Sequence, residues 1–382
     1  MLGLVLTSAL AAVTSAELQL RLTAVKSNIL VGEFTKVRLQ WTVLKPIKIL
    51  RGSEVVLIDD GTGFHEHIED DLTEATTVAM PIAYDPGETA LTEYRIGLEP
   101  TGQGGTGLTA LAASLKFAFP HPGRYRVKVK YGEAESNEVQ IDVAAPSEDA
   151  MMLFQSLAQQ PLMLTSLVGA EKELFQPADG LIAQYGAHPY LAPVILERTD
   201  SGDRDDFDRL MALDFNQSAF ADERLLRIAE RGGRFLGEEF ERQTLREVID
   251  KFPGSLAAKK AAILLDSEPP TLTIAAAPTT LWPPNHKLVA VAMTIEVTDN
   301  VDPNPTVKLE SITCDDGCNP STDVSDAALN TDDRQFQLRA ERLGTGSGRT
   351  YTITYSATDA SGNTATKTTT VTVPHDQRTT SK

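Results

Sequence analysis

The stretch Leu281–Val291, LWPPNHKLVAV, decides how the C-terminal part of the chain is read. Pro283 and Pro284 remove two successive backbone donors, so the string starts a strand from outside a sheet rather than within one. The apolar and β-branched run after Lys287 is that strand. On this reading Trp282 covers the end of a core with its indole N–H turned to a partner. Asn285 and His286 supply hydrogen bonds where the strand begins. No second ligand or nucleophile neighbours His286 in sequence, so His286 is read as structural.

Working outward, β texture runs from the proline-marked boundary Asp266-Ser267-Glu268-Pro269-Pro270 to the C-terminus. LTIAAAP, TVKLESITC, QFQLRAERL, RTYTITYSATD and TATKTTTVTVP all carry alternation or β-branched runs. The blocks LWPPNHKLVAV, VTDNVDPNP and LRAERLGTGSGRTYTITYSATDASGNTATKTTTVTVPHDQ occur in that order. Together they resemble a bacterial extracellular immunoglobulin-like repeat related to hyalin-repeat modules. The resemblance implies a β-sandwich in a secreted, surface or adhesive setting, and it implies no catalytic activity.

Upstream of that boundary, residues 148–266 place apolar side chains at helical spacing in AMMLFQSLA, DDFDRLMALDF, DERLLRIAERGGRFL and EEFERQTLREVIDKF. LIAQYGAHPYLAPVIL and VIDKFPGSLAAKKAAILL echo each other, with Tyr185 and Phe252 in matching places. The second resembles the end of a tetratricopeptide-type unit; a plain helical bundle explains the same residues. Before Ala145-Pro146-Ser147, short strands such as LQLRLTAV, KVRLQWTV and RYRVKVKY indicate a sandwich. FPHPGRYRVKVKYGEAESNEVQIDV resembles the last two strands of bacterial immunoglobulin-like domains. The resemblance places Tyr125 at a tyrosine-corner-like position and Trp41 in the core. The expected fold is thus multidomain: two all-β immunoglobulin-like sandwiches, 17–146 and 267–382, flanking an all-α helical-hairpin segment, 147–266.

Acidic residues outnumber Lys and Arg by 53 to 35 in 382 residues, a formal charge of −18. Such a surface repels phosphate backbones, which argues against nucleic acid as a partner. Residues 1–16, ending Thr14-Ser15-Ala16, read as a signal peptide cleaved before Glu17, with a buried N-terminal helix as the alternative. No later run is long enough to span a membrane, so the mature chain is expected to lack a transmembrane segment. In an exported protein the pair Cys314 and Cys318 is read as a local disulfide.

Two constellations bear on metals. On a strand, His65, His67 and Glu69 share one face, a spacing that can hold zinc; a solvated sheet edge explains them equally. Asp299, Asp302 and Asp359 lie in turn sequences that offer hard oxygens, as calcium needs, although Asp-Asn and Ser-Gly-Asn are also ordinary turn chemistry. Gly102–Gly107 matches a dinucleotide-loop spacing but lies among strands, and is read as a loop. The expected function is therefore an exported, non-enzymatic modular protein that binds a protein or cell-surface ligand, or acts as a spacer. No cofactor is expected, with calcium at Asp299, Asp302 and Asp359 as the alternative. The alternatives are a periplasmic partner-binding protein working through the helices, and a metal-dependent enzyme centred on His65 and His67.

Overall fold

The computed structural model describes residues 13–49, 54–67, 82–100, 115–159, 176–198 and 204–376. Most of the expected signal peptide, Glu69 and the loop Gly102–Gly107 lie outside them. The chain divides into two compact units, Met1–Ala261 and Ala262–Lys382.

The strands of the first unit, in chain order, are β1 (Leu18–Ala24), β2 (Asn28–Leu30), β3 (Thr35–Val43), β4 (Ile47–Ile49), β5 (Val55–Asp59), β6 (Phe64–His67), β7 (Ile82–Tyr84), β8 (Thr89–Ile96), β9 (Leu98–Pro100), β10 (Leu115–Phe117), β11 (Gly123–Tyr131), β12 (Ala134–Glu135) and β13 (Val139–Ala144). One sheet has the order β1-β3-β8; a second runs β2-β13-β11-β5-β6, with β12 paired to β11. Period-two alternation sets the faces. Leu18, Leu20 and Leu22 of β1 and Val37, Leu39 and Trp41 of β3 turn into one core. Gln19, Arg21 and Thr23 face out. The Tyr125 hydroxyl donates to the carbonyl of His121 at 3.0 Å. Most pairings are antiparallel, but β2 lies parallel to β13, with Asn28 opposite Asp142.

The helices of this unit are α1 (Glu148–Ala158), α2 (Gln176–Tyr185), α3 (Ala192–Arg198), α4 (Arg204–Ala212), α5 (Ala221–Leu236) and α6 (Glu238–Lys251); α7 (Leu256–Leu265) begins in it. Ser147 caps α1 by accepting the Ala150 N–H, satisfying one of the donors a helix start leaves open. The glycines that interrupt the pattern of α5 do not break it. A Cβ on Gly232 would lie 2.3 Å from the Phe240 ring, so the missing side chain lets α6 pack close.

The expected layout of two immunoglobulin-like sandwiches flanking an all-α segment is not what forms. The helices are not a separate module. Leu153, Leu157, Tyr190, Phe207 and Phe220 share a core with Phe34 and Leu98 of the β region. Phe154 bridges the two, 4.9 Å from the Phe117 ring and 5.8 Å from that of Tyr190. The Tyr190 hydroxyl donates to Val31 O at 2.7 Å. The physical reason is burial: these helices carry more apolar surface than their own contacts cover, and the nearest cover is the strands. The β region is itself divided among several sheets rather than two.

The second unit contains β14 (Thr271–Ala277), β15 (Leu288–Thr298), β16 (Thr306–Cys314), the single-turn α8 (Pro320–Asp323), β17 (Val324–Ser325), β18 (Gln335–Arg339), β19 (Gly348–Thr358) and β20 (Thr364–Pro374). Its sheets have orders β14-β15-β18-β17 and β16-β19-β20. Their inner residues form one cluster, including Leu309, Phe336, Tyr351 and Tyr355. Here the stretch 281–291 differs from expectation in one respect. Leu281, tied to Thr372 O at 2.8 Å, fills the core, and Trp282 is 43% exposed. At His286 the backbone N–H donates to Ala340 O and the carbonyl accepts from Arg339 at 2.8 Å, while the exposed ring stands 3.3 Å from the Glu341 carboxylate.

Candidate functional site

In the second unit three elements end one residue before an aspartate. Asp266 follows α7, Asp299 follows β15 and Asp359 follows β19. A short acceptor side chain at such an end captures the N–H groups of the turn that follows. Asp299 Oδ1 accepts from Val301 at 3.0 Å and Asp302 at 2.7 Å. Asp359 Oδ1 accepts from Ser361 at 2.9 Å and Asn363 at 2.8 Å. Asp266 Oδ1 accepts from Glu268 and from Asn300 Nδ2, both at 3.1 Å.

The consequence is convergence. One oxygen from each of Asp266, Asp299 and Asp359 lies within 4.8 Å of the others. Asp359 is buried, and Asp299 Oδ2 is a buried oxygen with no hydrogen-bond partner. Around them, Asn363 Nδ2 donates to Asp359 Oδ2 at 3.0 Å, and Ser361 Oγ donates to Ile263 O at 2.8 Å. Three hard oxygens at this spacing could supply part of the shell of six to eight that a calcium ion takes. Asp302 is not one of the three; its carboxylate accepts from Asn304 N at 2.9 Å. Sequence reading missed Asp266 because it stands in a segment that reads as a linker.

His65 and His67 lie on β6, His65 exposed and His67 buried. Glu69 is outside the described residues, and the described ones gather no third ligand around the two histidines. Cys314 and Cys318 form a disulfide, with Cα atoms 6.0 Å apart. Close to it, Asp323 is pinned by Arg339 at 2.9 Å, by Arg349 at 3.0 Å and by the Asn319 N–H at 3.0 Å. Burial works against ionisation of Asp323, but the Asn319 N–H and the two guanidinium groups outweigh it and hold its carboxyl below the ordinary value.

In the first unit a buried cation organises its own cluster. Lys36 Nζ contacts Asp222 at 2.7 Å, Glu223 at 2.9 Å and Glu93 at 3.3 Å. Arg38 pairs with Glu93 at 2.8 Å and Arg95 with Glu223 at 2.6 Å, so three cations face three carboxylates. Asp222 and Glu223 stand in the first turn of α5, where the helix dipole favours negative charge. Burial opposes the charge on Lys36, yet the three carboxylates hold its pKa above the ordinary value. Burial of Asp222 pushes its carboxyl up despite Lys36. Glu223 is held down, because Lys36 and Arg95 overcome its desolvation.

A cleft of about 710 Å³ also opens in this unit, lined among others by Lys26, Asn28, Glu33, Pro189, Asn216 and Ser218. Lys26 reaches Glu33 at 2.5 Å, and Glu33 also accepts the Leu30 N–H at 2.9 Å. Burial nevertheless pushes the Glu33 carboxyl up. Among the described residues no helix is long and apolar enough to cross a membrane.

No protein-family model and no curated protein matches the chain. Among solved structures, a β-glucosidase from Listeria innocua in complex with glucose is 15% identical at a TM-score of 0.23, over 34% of this chain and 16% of its own. An alkylpurine DNA glycosylase from Pseudomonas fluorescens, bound to DNA containing an abasic site analog, is 14% identical at 0.23, over 34% of this chain and 31% of its own. The sporulation control protein of Bacillus subtilis is 11% identical at 0.20, over 37% and 56%. This chain spans less than two thirds of each, and likenesses of this size carry neither fold nor chemistry across.

Proposed function

We propose that the chain is an exported, non-enzymatic modular protein of the bacterial surface or extracellular space, with a calcium-stiffened, hyalin-repeat-related second unit that serves binding or spacing. The observation that carries this reading is the convergence of Asp266, Asp299 and Asp359, with Asp299 Oδ2 unsatisfied. A cation there fastens the segment leaving α7 to the turns after β15 and β19. The Cys314–Cys318 disulfide supports an oxidising compartment. The partner is a protein or a cell-surface ligand, and the acidic surface argues against nucleic acid.

Calorimetry of the full chain tests the reading. Extracellular modules hold calcium at about 0.1–1 mM, so about 10 mM calcium should raise the melting of the second unit relative to chelator. Asp299→Asn should abolish the rise. A wild-type chain that melts identically with calcium and with chelator sinks the stiffened-spacer reading.

Export has its own check. Val13, upstream of the expected cleavage after Ala16, is buried, and its carbonyl accepts the Glu133 N–H at 2.8 Å. Mass spectrometry of native protein should find an N-terminus near Glu17; chain recovered from cytoplasm beginning at Met1 overturns export.

The cleft beside Glu33 favours a second reading, a periplasmic protein that binds a partner through the first unit. Ala144→Trp, which fills the cleft, should then release a partner that co-purifies with the wild-type chain and leave melting unchanged. A partner retained by the filled variant excludes this reading.

A further inference from the structure

We propose that the outer face of the β1-β3-β8 sheet carries a binding site for a small tetrahedral dianion, of the phosphate or sulfate monoester class, formed by Arg21, Arg38 and Lys259. Alternation and register build the floor. Arg21 stands opposite Gln40, and Thr23 stands opposite Arg38. Gln40 in turn faces Leu91 across to β8. Because β1 and β3 bury their leucines and valines inward, both arginines and both polar neighbours are directed outward. Gly254 and Lys259, the latter near the start of α7, wall this face into a cavity of about 280 Å³.

The chemistry of the lining is one-sided. Among the described residues its charged groups are Arg21, Arg38 and Lys259, Thr23, Gln40 and Thr89 add hydrogen-bonding groups, and no carboxylate lines it. That runs against the composition of a chain in which acids outnumber bases by 53 to 35. Glu93 lies beyond Arg38, where it accepts from the Arg38 Nε at 2.8 Å and the Leu256 N–H at 3.3 Å. Glu93 thereby balances Arg38. Arg21 and Lys259 have no ion-pair partner among the described residues. Burial lowers the pKa of Lys259, with no carboxylate to oppose it.

Two uncompensated charges match a dianion better than a single carboxylate. Guanidinium forks on neighbouring strands suit its several oxygens, which each fork can take in pairs. The volume admits one such head group and excludes an extended chain from lying wholly inside.

Isothermal titration of the full chain with inorganic phosphate, inorganic sulfate and acetate, at pH 8 and matched ionic strength, tests the assignment. Phosphate and sulfate should bind with a dissociation constant on the order of 1 mM, and more weakly as salt rises. Arg21→Gln and Lys259→Gln change exposed side chains, and each should weaken binding about tenfold. Lys259→Arg should restore most of the affinity. Acetate binding as tightly as phosphate overturns the choice of a tetrahedral dianion. Wild-type affinity in a chain carrying both Arg21→Gln and Lys259→Gln, or no heat at about 50 mM phosphate, overturns the site.

Discussion

The two units handle the same kinds of charged group in opposite ways. In the first, Lys36 is buried among Asp222, Glu223 and Glu93, with Arg38 and Arg95 completing the balance. In the second, Asp266, Asp299 and Asp359 converge, and no Lys, Arg or His pairs with them among the described residues. The first cluster is a closed circuit that holds helix to sheet. The second is a carboxylate set short of a cation. Completeness of the charge set, rather than its composition, separates a structural lock from a group of carboxylates left open to a cation.

The largest expected effect comes from opening the closed cluster. Lys36→Met leaves three carboxylates without their shared cation, which should cost about 3–5 kcal/mol in urea denaturation of the first unit. Removing Asp222 and Glu223 charges in the same chain should recover part of it. If Lys36→Met alone is silent, the lock is not what joins α5 to the sheet.

Completing the open cluster comes next. Calcium at a hundredfold excess over its dissociation constant should stabilise the second unit by about 2.7 kcal/mol. The same addition should leave the melting of the first unit where it was. A shift shared equally by both units would erase the contrast.

Asp323 offers an intermediate case, a cluster closed by two guanidinium groups with Arg349 almost fully buried. Its carboxyl is depressed in the folded state, so its contribution is present above the ordinary value of 3.8 and is lost as pH falls through the folded value. Asp323→Asn should cost about 2 kcal/mol at pH 7. The difference between wild type and variant should shrink as pH drops below about 4, as read by denaturation at both pH values. A difference that grows on acidification contradicts the direction.

The smallest effect belongs to the disulfide. Cys314 and Cys318 close so short a loop that reduction should cost at most about 2 kcal/mol, and less than Asp323→Asn in the same melting experiment. A larger loss would make the bridge, not the guanidinium pairs, the mainstay of that turn.

These contrasts were unevenly legible in the sequence. Alternation in LQLRLTA and TKVRLQWTV gave β1 and β3, because every second residue has a definite side to face. TALTEYRI hides β8: its Glu93 and Arg95 sit on a face covered by ion pairs, so little apolar contrast marks it. Helical spacing identified the helices, but not that Phe207 and Phe220 would share a core with Phe34. Period reports which side of an element is apolar, not which element it meets. Asp299 and Asp359 were visible through turn chemistry. Asp266 was not, since its part depends on the turns after β15 and β19 being brought beside it. Arg21, Arg38 and Lys259 were invisible for a related reason, because only register and the return of α7 bring them to one cavity.

The separation of Lys36 from Asp222, 186 residues along the chain, has a consequence for biosynthesis. The cation leaves the ribosome well before either acid at the start of α5. Until those acids follow, β3 carries a lysine whose countercharge is incomplete, and the strand has no reason to bury it. Fragments that stop short of residue 222 should therefore keep that face of the sheet wet, however well their leucines collapse. Completion of the first unit is timed by the arrival of two acidic residues, not by the last strand of its sheets.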